Sequence, residues 1–214
     1  GVRGKSLPLM RRSRLPGAVS LAVYLVGSSL AYLTLDAGLG ALILFGVVQI
    51  TMFSYSILQG SPPTQRQVTG GALAFVGLMI ALWPGPGGTS DPIGAGFMVL
   101  AGLGWAAYTI VGRSAKDPLA ATAANFLLCA PFFLVLLIWT GLPTSLIGIG
   151  LGILCGGVTS GLGYAVWYWV LPQLDGSTAA SVQLSVPVIA ILAGAVLLGE
   201  GISLAVVLAA LLVI

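Results

Sequence analysis

Histidine is absent from the 214 residues, and charged side chains make up only 6% of them. Without an imidazole there is no Ser-His or Cys-His nucleophile pair, no histidine proton relay near neutral pH and no imidazole-ligated metal. The shortage of charge excludes a second class. Soluble domains usually carry about 25% charged residues, so a water-facing globule of this size could not be covered with what is available. Cysteine is scarce too: Cys129 and Cys155 both fall inside apolar runs, where they read as small core residues rather than a disulfide pair. The glycine series Gly94 to Gly104 and Gly148 to Gly161 follow no strand and do not end in Gly-Lys-Ser or Gly-Lys-Thr, so neither is a nucleotide loop and no ATP motor is expected.

What the chain has in abundance is apolar surface: 58% hydrophobic residues and a mean hydropathy of +1.10. Unfolded chains show the reverse composition, which excludes disorder and leaves an integral membrane protein. The formal net charge is +3, and five of the eight Lys and Arg (Arg3, Lys5, Arg11, Arg12, Arg14) stand in the first fourteen residues. That clustering is too local for a nucleic-acid surface and fits a cytoplasmic flank.

A membrane helix needs roughly 20 mostly apolar residues to cross a hydrocarbon core about 30 Å thick. Eight such segments are predicted, over residues 17–35, 37–59, 68–83, 92–112, 119–139, 145–171, 177–199 and 201–214. The last would reach only about 21 Å at 1.5 Å per residue, so it reads as tilted or cut short. The start, Gly1 with no signal-peptide pattern, also reads as cut. Short Pro- and Gly-rich connections make consecutive helices antiparallel neighbours. Alternating the sides places all eight Lys and Arg on one face, which puts the N-terminal segment in the cytoplasm.

Displaced by 139 residues, the chain matches itself at seven of 26 positions: Leu35-Asp36 on Leu174-Asp175, Ala41 on Ala180, Val47 on Val186, Ile50 on Ile189, Leu58 on Leu197 and Gly60 on Gly199. The first helix then corresponds to the sixth, and an offset of five helices is odd, so the second copy enters the membrane from the opposite side. Such inverted repeats underlie alternating access in many secondary transporters. The second copy has five helices and the first only three, which predicts two further N-terminal helices in a ten-helix protein. The first repeat is thus residues 1–85 and the second 92–214.

The stretch LPQLDGSTAASVQLSVPVIAILAGAVLLGE, from Leu171 to Glu200, resembles the second EamA repeat of the drug/metabolite transporter superfamily, with a proline in mid-helix and Gly-Glu at the helix end. The resemblance implies a ten-helix bundle of two inverted five-helix repeats that exports amino acids, metabolites or drugs across a bacterial inner membrane. The first repeat departs from the pattern, with Val48 where Pro187 would map and Ser61 where Glu200 would.

Candidate residues divide into helix caps and cavity wall. Asp36, Asp91, Asp117 and Asp175 each lie near a helix start and are expected to cap it. Glu200 matches the motif and is expected to be structural. No ionisable group lies deep in a span, so the residues fit exchange or uniport better than proton coupling. Polar side chains at mid-depth are Gln49, Gln183 and Ser185, the last two one turn before Pro187, whose missing N–H frees the carbonyl of Gln183 and makes a conformational kink. Tyr24, Ser28 and Tyr32 recur every fourth residue on the first span, as do Ser160, Tyr164 and Tyr168 on the sixth beside Trp167. Tyr24, Ser28, Trp105, Tyr108, Tyr164 and Trp167 are read as a wall for aromatic or amphipathic solutes, whereas Tyr32, Trp83, Trp139, Tyr168 and Trp169 suit an interfacial belt. Gly94, Gly96, Gly102 and Gly104 on the fourth span, and Gly148, Gly152 and Gly156 on the sixth, are read as packing faces.

These residues predict an all-α transporter with a small-molecule substrate, seated in a lipid bilayer and using no cofactor, metal or nucleic acid. Self-association into a homo-oligomer stays open. The rival readings are a packing fragment without transport activity and an intramembrane enzyme. The enzyme is disfavoured because the chain lacks buried paired aspartates and any Gly-x-Gly-Asp segment.

Overall fold

The computed structural model describes residues 15–60, 64–82, 91–112, 117–140, 145–170, 173, 186, 189–202 and 204–213. Most of these residues are helical, with no strand among them. In chain order they form α1 (Leu15–Ala31), α2 (Ala37–Leu58), α3 (Gln65–Leu82), α4 (Pro92–Gly112) and α5 (Pro118–Thr140). Next comes α6, in three consecutive pieces (Leu146–Leu154, Cys155–Leu162, Gly163–Val170), then α7 (Ile189–Leu198) and α8 (Leu204–Val213). Among the described residues three stretches, Ala37–Tyr55, Pro92–Gly112 and Leu146–Val166, are individually long and apolar enough to cross a membrane. The chain is an all-α, multi-pass membrane protein.

Two elements differ from their sequence expectation. α1 ends at Ala31, four residues early, because its exit is tightened: Leu33 N–H donates to Leu30 O at 3.3 Å and Thr34 N–H to Ala31 O at 3.1 Å. The Thr34 hydroxyl then donates to Asp91 Oδ2 at 2.9 Å, tying this turn to the start of α4. In α6 the middle piece, Cys155–Leu162, is wound as a π-helix. Its sequence, CGGVTSGL, explains the loosened coil: glycine costs about 1 kcal/mol in a helix, and Thr159 Oγ1 turns back onto Cys155 O at 2.6 Å.

Three helix starts, those of α4, α5 and α6, follow local chemistry, and that of α2 does not. Asp91 accepts from Ile93 N–H at 3.2 Å and Gly94 N–H at 2.9 Å, Asp117 from Ala120 N–H at 3.0 Å, and Ser145 from Gly148 N–H at 2.9 Å. Asp36, expected to cap α2, makes no side-chain cap bond. Glu200 supplies those acceptors instead, taking Ala37 N–H at 2.6 Å and Gly38 N–H at 3.2 Å. Asp175 lies outside the described residues.

The Gly94 N–H and the Thr34 hydroxyl favour the ionised form of Asp91 and hold its carboxyl below the ordinary range. A depressed folded-state value means that the stabilisation is complete above the unfolded value of about 3.9 and is lost as pH falls through the folded one. Melting curves of native protein and Asp91→Ala are therefore expected to be separated at pH 7 and to converge below about pH 4. A gap independent of pH would show that the carboxylate charge contributes nothing.

The chain forms two compact units, one of Ser20–Ile110 with Ala180–Ile214, the other of Gly1–Val19 with Val111–Ala179. In the first unit, Ala31 and Leu35, Ile43 and Leu44 of α2, and Ala95, Met98 and Ala101 of α4 make one buried cluster. Glycine lets these helices touch. A Cβ on Gly104 would stand 2.7 Å from Tyr24 N and 2.9 Å from Ser20 O, one on Gly27 2.9 Å from Phe97 O, and one on Gly102 2.8 Å from Val47 Cβ. α3 packs on α2 and α8, and Leu42 of α2 is buried with Ala210 of α8. Gly60 and Gly199, at the exits of α2 and α7, have left-handed φ of 76° and 70°.

In the other unit the start of α1 meets α5. Cys129 Sγ donates to Ala18 O at 3.2 Å, and a Cβ on Gly17 would stand 2.8 Å from Asn125 Nδ2. The glycine face of α6 behaves differently from that of α4. Among the described residues nothing lies within 4 Å of a Cβ on Gly152 or Gly156, and Gly148 meets only Ser145 of its own cap. Gly96 of α4 likewise meets nothing.

Candidate functional site

The periodicity of α1 and α4 brings three rings together. Trp105 and Tyr108 stand one turn apart on α4, with ring centroids 5.8 Å apart and planes inclined at 36°. Tyr24 of α1 leans on Trp105 at 4.8 Å and 50°. The proximity has a backbone cause, since Gly104 beside Trp105 lets α4 approach the Tyr24 main chain. Tyr108 is buried, while Tyr24 and Trp105 are half-buried. Tilted pairs at these separations are each worth about 0.5–1.5 kcal/mol beyond the area they bury.

Ser28, one turn beyond Tyr24, donates its hydroxyl to Tyr24 O at 2.8 Å, with Leu25 O at 3.2 Å. Its proton is thus committed to its own helix, and only its oxygen is available as an acceptor. Gln49 is half-buried on α2. Tyr164 belongs to the other unit, where it meets Phe126 edge-on at 6.3 Å. Trp167 lies in α6, its side chain outside the described set, and Gln183, Ser185 and Pro187 lie outside the described residues. A small cleft in the unit of α2 is lined by Asp36, Gly38, Leu39, Ile191, Glu200 and Val206 among others, and by none of the rings.

One polar residue escaped the sequence reading. Asn125 of α5 is buried, and its Oδ1 has no hydrogen-bond partner among the described residues. An orphan acceptor of this kind costs about 1–3 kcal/mol. The reasoning applied to Gln49, that an amide in an apolar span must face the bundle interior, would have singled it out.

The model of the family described as EamA-like transporters matches residues 92–214, from the start of α4 onward. An uncharacterized protein of Pseudomonas aeruginosa is 46% identical over 203 residues, an alignment that covers 91% of this chain and 70% of that protein. No solved structure matches the chain.

Proposed function

The chain belongs to the EamA-like transporter family, and on that footing we propose that it is a secondary exporter of a small organic solute, an amino acid, metabolite or drug. It works by alternating access between two inverted repeats, residues 1–85 and 92–214, in a bacterial inner membrane with the N-terminal basic segment cytoplasmic. The observation that carries the reading is the Tyr24–Trp105–Tyr108 cluster on glycine-apposed helices. Independent support for the repeat comes from the backbone: Gly60 and Gly199, aligned by the 139-residue offset, both adopt the left-handed conformation at a helix exit.

In this reading Tyr24, Trp105 and Tyr108 hold the solute by ring stacking, with Ser28 and Gln49 of the same unit supplying polar contacts. The sequence adds Tyr164, Trp167, Gln183 and Ser185 as further candidate contacts and Pro187 as a candidate conformational residue, each read from its place in the sequence alone. Reconstitution of the full-length protein in proteoliposomes, screened with amino acids and aromatic amines, is expected to give flux that does not require a pH gradient. Strict dependence on the gradient would contradict a site without a buried titrating group. Gln183→Leu is expected to lower flux while the protein still inserts, and unchanged flux would remove Gln183 from the site.

A further inference from the structure

Glu200 follows the left-handed Gly199 at the exit of α7, and its carboxylate crosses to the first turn of α2. Ala37 N–H donates to Oε1 at 2.6 Å and Gly38 N–H to Oε2 at 3.2 Å. Both oxygens thus grip the positive end of a 22-residue helix through charge-assisted bonds. The surroundings are shaped for this grip. A Cβ on Gly194 would run into Glu200 Oε2, and one on Gly38 would stand 2.9 Å from Ile191 Cγ1, so α2 starts directly against α7. Glu200 N–H returns to Gly194 O at 3.2 Å, which fixes the turn that aims the carboxylate.

The 139-residue offset assigns α2 to the first repeat and Glu200 to the second, so the clasp joins the two. At the corresponding place Gly60 is followed by Ser61, and the amides matching Ala37 and Gly38 belong to Gly176 and Ser177. A neutral, short hydroxyl cannot make a charged two-oxygen grip.

We infer that Glu200 is a one-sided latch, its carboxylate holding the first turn of α2 against the α7–α8 turn in one state of the transport cycle and biasing the protein toward that state. The inference rests on the alternating-access reading above. Asp36 is the other carboxylate lining the cleft beside the clasp. Among the described residues no Lys or Arg is bonded to Glu200, so the helix end is its counter-charge.

The test uses spin labels at Leu33 and Ile202, exposed residues on either side of the clasp, in full-length protein carrying Cys155→Ser to remove the exposed native thiol. Native protein is expected to show one dominant distance and a minor longer one. Glu200→Gln should move the ratio toward the longer distance by roughly tenfold, the difference between charged and neutral acceptors. Gly194→Ala, which fills the carboxylate's seat and leaves Glu200 intact, should act in the same direction. Ser61→Glu, which supplies the missing counterpart, should also depopulate the clamped state. Unchanged distances in folded Glu200→Gln and Gly194→Ala would overturn the latch, as would unfolding of both variants, which would make Glu200 a folding cap only. Native flux with unchanged distances defeats the latch alone. Shifted distances in a protein that moves no solute defeat the transport reading and leave the latch standing.

Discussion

Gly104→Leu is expected to lower the melting temperature in detergent by on the order of 10 °C. The cause is the kind of atom that the new side chain would meet. A Cβ at this position lies 2.7 Å from Tyr24 N and 2.9 Å from Ser20 O, and main-chain atoms cannot rotate aside as a leucine tip can. From the other helix Gly27 makes the reciprocal approach to Phe97 O, so neither helix can yield without breaking the second contact. Overpacking usually costs about 1–3 kcal/mol, and this geometry belongs at the upper end. Gly96→Ala is the control, because nothing lies within 4 Å of its Cβ and alanine favours the helix. Equal melting temperatures for Gly104→Leu and native protein would mean that the two helices do not cross here.

Trp105→Ala is expected to reduce flux by up to roughly tenfold at matched stability, because it removes the ring on which the proposed solute would stack, a contact worth about 0.5–1.5 kcal/mol. Trp105→Phe keeps a ring in place and should retain most of the flux. Comparing the two at matched insertion and melting temperature separates solute contact from packing. Equal flux in native protein and Trp105→Ala would place the solute elsewhere.

The residues also explain how far the sequence could be read. Composition and Pro-Gly punctuation mark most of the helices found among the described residues, and α4 is bounded correctly because Asp91-Pro92 carries both its cap and its first residue within three bonds of the chain. The cap of α2 was misread for the opposite reason: Asp36 is the local candidate, yet Glu200 reaches those amides from the far end of the sequence. The Trp105–Tyr108 pair was legible as a one-turn spacing, whereas the Tyr24–Trp105 contact depends on which glycine faces which helix. Gly94, Gly102 and Gly104 meet neighbours, while Gly96 and the α6 glycines do not, and spacing alone cannot tell these cases apart. The π-helical stretch leaves a mark in CGGVTSGL, whose glycines read as packing positions rather than as a loosened coil.

The distance along the chain between Ala37 and Glu200, 163 residues, bears on biosynthesis. At about 5–20 residues per second, a ribosome takes roughly ten to thirty seconds to travel from one to the other. Throughout that interval the leading amides of the emerging second helix have only water or lipid headgroups to bond. The nascent protein therefore cannot seal this helix until the segment carrying Glu200 has been made, so insertion of the helix and locking of its first turn are separate events.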